Sequence, residues 1–199
     1  MGYYKYVGNA YRGIGKNVKT NKVLNELLQK RKREWREGPS VLRVDKPTRI
    51  DQARGYGYKS KQGFVVARVR IRAGGMRKSR PRTGRRAKRM GVLKITPRKS
   101  IQRIAEERAQ VRFPNLEVLG SYWLLEDGKH KWYEVVLVDK HHPAIISDLD
   151  VRWITEKQHE KRVLRGLTPA GKEGRGLTRR GTGAERVRPG IRAKGRKAK

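Results

Sequence analysis

Leu116-Glu-Val-Leu-Gly-Ser-Tyr-Trp-Leu-Leu-Glu-Asp-Gly-Lys-His-Lys-Trp-Tyr-Glu-Val-Val-Leu-Val138 decides the fold. Its flanks, Leu116 to Leu125 and Trp132 to Val138, are rich in β-branched and aromatic residues, which fit a pleated, packed surface. Between them, Glu126 to Lys131 contains Asp127-Gly128, a pair suited to the positive φ angles of a tight hairpin. The two runs are therefore predicted to pair antiparallel, with Trp123 and Trp132 in the core.

Upstream, Phe64-Val-Val-Ala-Arg-Val-Arg-Ile-Arg72 alternates after Val66. Strand geometry puts Val65, Ala67, Val69 and Ile71 on one face and Arg68, Arg70 and Arg72 on the other. A half-buried strand follows, and Val41-Leu-Arg-Val44 is a candidate fourth, ending before Pro47. Helices are predicted in three places. About Asn21 to Glu37 carries Leu24, Leu27, Leu28, Arg31 and Trp35 along one side and stops at Gly38-Pro39. Thr96-Pro97 resembles an N-cap and first-turn proline for a helix carrying Ile101, Ile104, Ala105 and Arg108, which Phe113-Pro114 ends. Thr155 with Gln158 forms a capping-box pattern for a third, closing near Arg165-Gly166.

These elements describe an α+β fold: a small antiparallel sheet of three to four strands with packed helices and long basic, non-globular extensions. The expected organisation is an N-terminal basic helical segment over 1–40 and a globular core over 41–76 and 97–165. A basic extended loop over 77–96 interrupts the core, and a basic, glycine-rich tail covers 166–199.

Charge places the partner. Lys and Arg number 52 against 18 acidic residues in 199, a formal charge of +34. Self-repulsion of that size disfavours an isolated compact state, whereas a polyanion that releases counterions on binding compensates it. The excess is uneven: residues 77–99 hold 11 basic and no acidic side chains, and residues 165–199 hold 12 basic and 2 acidic. Both are punctuated by glycine and proline and lack the apolar content for a core, so they are expected to order only against phosphate. No apolar stretch approaches the roughly 18 residues of a membrane span. The start lacks the apolar core of a secretory signal, and Tyr6 stands where an N-myristoylation motif needs Ser or Thr. A cytoplasmic protein is expected, with nucleic acid as partner and neither a membrane nor a small-molecule substrate.

Chemistry beyond binding finds little support. The absence of cysteine excludes thiolate nucleophiles, disulfides and Cys-based zinc sites. Gly13-Ile-Gly-Lys16 lacks the spacing and the Ser or Thr of a phosphate-binding loop. Asp139, His141 and His142 are read as structural or capping residues in preference to metal ligands, and Asp148 and Asp150 as capping a turn or answering Arg152. Neither a catalytic set nor a cofactor is expected. On a strand, Arg68, Arg70 and Arg72 stand ~6–7 Å apart, close to the spacing of successive phosphates, and they run into the cationic stretch at 77–99. Tyr3, Tyr4, Tyr6 and Tyr11, and Tyr56 and Tyr58 within Gly55 to Lys59, either stack on bases or cover a core edge.

In order and spacing, several segments resemble the archaeal and eukaryotic (e-type) large-subunit ribosomal protein fifteen family almost end to end. They are Gly2 to Tyr6, Arg54-Gly-Tyr-Gly-Tyr-Lys-Ser-Lys-Gln-Gly63, Arg68 to Gly75, Ala105-Glu-Glu-Arg-Ala109, Ser121-Tyr-Trp123 with Glu126-Asp127, Glu134 to Asp139, Trp153-Ile-Thr155, and Arg165-Gly-Leu-Thr-Pro-Ala-Gly171. The resemblance implies an antiparallel sheet with packed helices, extensions buried in large-subunit ribosomal RNA, and neighbouring ribosomal proteins as further partners. Two positions depart from the family pattern. Gly120 stands where Asn is usual and Lys140 where Pro is usual, and both are read as local turn changes. The expected RNA-binding set is Lys46, Arg49, Arg54, Lys59 and Lys61; Arg68, Arg70 and Arg72; Arg77, Lys78, Arg80, Arg82, Arg85, Arg86, Lys88, Arg89, Arg98 and Lys99 in the loop; and Arg165, Lys172, Arg175, Arg179 and Arg180 in the tail. A DNA-architectural protein is the alternative, although neither a groove-reading helix nor a dimerisation element is evident.

Overall fold

A computed structural model describes residues 2–12, 22–75 and 99–178, with isolated positions at 79, 80, 82, 84, 92 and 97. Most of the basic loop, the tail from 179 onward and Gly13 to Lys16 lie outside the described residues, and with them the expectations placed there. Helices α1 (Tyr3–Arg12) and α2 (Lys22–Glu37) lead into β1 (Val41–Val44), α3 (Ile50–Gly55) and β2 (Phe64–Arg72). After the loop come α4 (Ile101–Arg112), the hairpin β3 (Leu116–Glu126) and β4 (His130–Asp139), then α5 (Pro143–Ile146), two 3₁₀ turns and α6 (Pro169–Gly174).

All four strands pair antiparallel in the order β1-β2-β4-β3. The hairpin forms as expected: Asp127 Oδ1 accepts from the backbone N–H groups of Lys129 and His130. The Val41 strand is real and pairs Val41 with Val69. Alternation on β2 also holds, since Ala67, Val69 and Ile71 are buried with Val65 packed beside them, against Ala105 and Ala109 of α4.

The opposite face of the sheet is also covered, so the strands are not half-buried. Val66, Val136, Val138 and Trp132 meet Leu28 and Trp35 of α2, Ala53 of α3 and Ile145 of α5. The near-continuous apolar run from Trp132 to Val138 is the sequence trace of this double burial.

Two predicted helix starts are corrected. In α4 the N-cap is Ser100, whose hydroxyl accepts from the Arg103 N–H at 3.2 Å; Pro97 precedes the helix. The Thr-Pro start appears later, where Thr168 caps α6 and Pro169 occupies its first turn. Between Thr155 and Arg165 there is no α-helix. The Thr155 hydroxyl donates back to the Arg152 carbonyl, and the extended backbone of Glu156 and Glu160 breaks the helical path. The packed chain also continues past Arg165: Gly166 turns at φ +68°, and a Cβ on Gly171 would stand 2.6 Å from the Gly166 backbone.

Lys140 does lie in a turn, but Gly120 is inside β3, at a register shift after Val118. An added Cβ there would lie 2.4 Å from Cδ1 of Tyr56, whose ring stacks on Tyr122 with centroids 6.3 Å apart. Gly120→Asn is therefore expected to cost about 1–3 kcal/mol as overpacking. It should cost clearly less in a Tyr56→Ala background, and a double-mutant cycle by thermal melting checks this; additive losses would mean that the two sites are uncoupled.

Candidate nucleic-acid interface

Two buried carboxylates hold the framework on which the cations stand. Glu134, in the middle of β4, accepts from the Thr48 N–H and hydroxyl and from the Tyr122 hydroxyl at 2.7 Å. Burial, reinforced by this carboxylate, pushes the Tyr122 phenol far up, so it remains a donor. Glu106 on α4 accepts from the Ser121 hydroxyl at 2.6 Å and the Thr168 hydroxyl at 2.5 Å. Burial raises its carboxyl, and the two hydroxyl donors work against that shift. Arg162, nearly buried, completes the node by donating to the carbonyls of Val118 and Leu119 and stacking over Trp153. Buried polar groups of this kind have to be satisfied. Here they clamp the 48 loop and the 160–170 segment onto the sheet, and neither is a nucleophile–base pair. Sequence reasoning missed Arg162, which in the charged run from Glu156 to Arg165 reads like any exposed cation of the helix expected there.

The expected cations fall into distinct environments. Arg68 is half-buried, its guanidinium 4.2 Å from the Trp35 ring centroid; burial disfavours its charge while Glu134 favours it. Arg70 donates to the carbonyls of Trp35 and Arg36, the acceptors that a helix C-terminus leaves unmet. The arginine row is thus not an open face: α2 covers two of its members and only Arg72 is exposed. Arg49 pairs with Asp51 and lies 4.7 Å over Tyr11, while Arg54 lies 5.4 Å over Tyr4. Lys99 pairs with Glu107, and Arg165 and Arg175 donate to nearby carbonyls.

Lys59 and Lys61 both reach Asp148, at 2.8 and 2.6 Å, and Lys59 also reaches Asp150. The sequence-based partner Arg152 is therefore replaced by two lysines, while the turn-capping role holds through the Asp150 N–H. Hydrogen bonds from Lys59 and Lys61 hold the Asp148 carboxyl well below the usual range. A depressed acid stabilises the fold above its unfolded pKa and loses that contribution as pH falls. Asp148→Asn is thus expected to lower the melting temperature at pH 7, with the gap to the parent protein closing below about pH 4. A gap that stays constant from pH 7 to pH 3 would contradict this.

Lys46, Arg72, Arg80, Arg82 and Lys172 are exposed, with no acidic partner among the described residues. Arg72 is placed informatively. It ends β2 opposite His130, and the next residue, Ala73, donates its N–H to the Lys129 carbonyl at 2.7 Å. The sheet end that carries the hairpin tip therefore also launches the cationic loop. Of the remaining expected residues, Arg77, Lys78, Arg85, Arg86, Lys88, Arg89, Arg98, Arg179 and Arg180 lie outside the described set. His142 caps α5, its Nδ1 accepting from the Ala144 N–H, and Asp139 accepts from the His141 N–H. Among the described residues no cluster of His and carboxylates is arranged to hold a metal, and no helix is long and apolar enough to cross a membrane.

A sheet covered on both faces, with two buried carboxylates as struts and a large surplus of cations, defines a small basic α+β protein. Residues 2–194 match the family model described as Ribosomal L15. The Large ribosomal subunit protein eL15 of Methanocella arvoryzae is 50% identical over 196 residues, covering 98% of this chain and 97% of that protein. The chain belongs to the e-type ribosomal protein fifteen family, as its sequence motifs indicated.

Proposed function

We propose that this chain is a structural, non-catalytic constituent of the cytoplasmic large ribosomal subunit that binds and stabilises large-subunit rRNA beside neighbouring ribosomal proteins. One observation carries the reading. The fold commits Glu106, Glu134, Asp51, Asp127 and Asp148 to its own interior and turns, so an excess of +34 is left for an external polyanion. Contacts should go mostly to phosphate and sugar, because such contacts position a protein without reading sequence and because Arg and Lys dominate the exposed polar surface. The described Arg72, Arg80, Arg82, Lys46 and Lys172 stand ready for that role. Arg68 and Arg70 would serve it indirectly, by holding α2 in place.

Sedimentation of a cell extract at high magnesium tests the assignment. The chain should travel with the large subunit and leave it only at high salt. Migration with DNA, or at the top of the gradient, would favour the DNA-architectural alternative or a free protein instead.

A further inference from the structure

We infer that Tyr3 and Tyr6 form a stacking site on α1 for unpaired RNA bases, an inference that rests on the RNA-binding reading and adds base contact to the phosphate contact proposed there. The sequence alone leaves the tyrosines divided between core edge and base stacking; the structure separates them. Tyr56 and Tyr58 belong to the core and its border. On α1, Tyr4, Gly8 and Tyr11 share one side at helical spacing, and that side is occupied. The Tyr11 hydroxyl accepts from Arg31 at 3.5 Å beneath the Arg49 guanidinium. Tyr4 lies under Arg54, and Gly8 faces Asp51 of α3.

Tyr3 and Tyr6, one turn apart, are 69% and 64% exposed. Each leaves most of a phenol ring in water, on a helix that contains no acidic residue. Tyr3 packs edge-on with Tyr4 at 5.9 Å between centroids, and Tyr4 carries the Arg54 guanidinium. A ligand seated on Tyr3 would therefore lie close to a fixed cation. Aromatic faces beside a guanidinium suit a nucleotide, whose base stacks while its phosphate meets the charge. A paired duplex keeps its base faces inside the stack, so the site selects unpaired nucleotides. An apolar protein partner would find no aliphatic surround here, since the other exposed residues of this part of α1 are Tyr4, Lys5 and Asn9.

The full-length protein tests this with two RNA probes of equal phosphate number, a hairpin with an adenine-rich loop carrying 2-aminopurine and a blunt duplex. The parent protein should bind both and quench the loop fluorophore. Tyr3→Ala/Tyr6→Ala should lose roughly ten- to a hundredfold in affinity for the loop, in line with stacking of one base. It should keep its duplex affinity and its circular dichroism, and Tyr3→Phe/Tyr6→Phe should restore both loop affinity and quenching. Equal losses on both probes, or unchanged loop binding, would overturn the stacking site. Unchanged binding to both RNAs combined with failure to join the large subunit would assign the face to a protein neighbour and equally overturn it. If the parent protein bound neither probe, the RNA-binding reading itself would fall.

Discussion

Val69→Asp is expected to abolish folding, whereas Arg72→Ala, three residues along the same strand, should leave the melting temperature nearly unchanged. Val69 is fully buried between the sheet and α4, among Ala67, Ala105, Ala109 and Val135. No donor among these residues can satisfy a carboxylate, and an unpaired buried charge costs several kcal/mol on top of the disrupted packing. Against a typical total of about 5–15 kcal/mol, little would remain. Arg72 is exposed, and surface substitutions of this kind usually fall within about 0.5 kcal/mol, so its removal should appear in RNA affinity alone. Arg70→Ala belongs between them: freeing the Trp35 and Arg36 carbonyls should cost about 1–2 kcal/mol, a drop of about 5 °C in a domain of this size. Thermal melts beside filter binding separate the three. A Val69→Asp protein that melted like the Arg72 variant would refute the assignment of faces.

The same residues show what the sequence could and could not reveal. Alternation in β2 and the Asp127-Gly128 turn were legible because both are local: period two and turn chemistry act within a few residues. The fate of the arginines was not. Whether Arg68 meets water or the Trp35 ring depends on where α2 docks, some thirty residues away in sequence, and a long cationic side chain can cover an apolar neighbour as readily as it can face solvent. Gly120 carried the same ambiguity. A glycine beside Ser121 reads as a turn until Tyr56 is seen to need the vacant space. α1 has ten residues and α3 six, too few for local propensity alone to hold a helix, and it is the arginine–tyrosine contacts between the two that stabilise what local propensity does not. At Thr155 the capping pattern was present, but its hydroxyl serves the preceding turn. The buried Glu106 and Glu134 nodes join residues between 12 and 86 positions apart, which no single window of sequence displays.

Removing residues 179–199 should weaken RNA binding by orders of magnitude at low salt while leaving the fold intact. The place of the cut matters. Residues up to Thr178 include α6, where Ala170 and Gly171 are buried and the Thr168 hydroxyl donates to Glu106, so a cut before Pro169 would damage the core and confuse the result. Beyond Thr178 the chain holds nine basic residues and one acidic residue. Each phosphate that the shortened chain no longer neutralises should flatten the dependence of log affinity on log salt by ~0.7 to 0.9 units. If most of these nine cations meet phosphate, the slope should therefore fall by several units, with the largest difference at low salt and near-convergence of the two proteins at high salt. Affinity of the full chain and of the chain ending at Thr178 for large-subunit rRNA, measured across a salt series, gives both slopes. Melting curves serve as the control for the fold. An unaltered slope would mean that the terminal cations do not meet phosphate. A matching drop in affinity at every salt concentration would point to a non-electrostatic interaction instead, because only released counterions make the difference depend on salt.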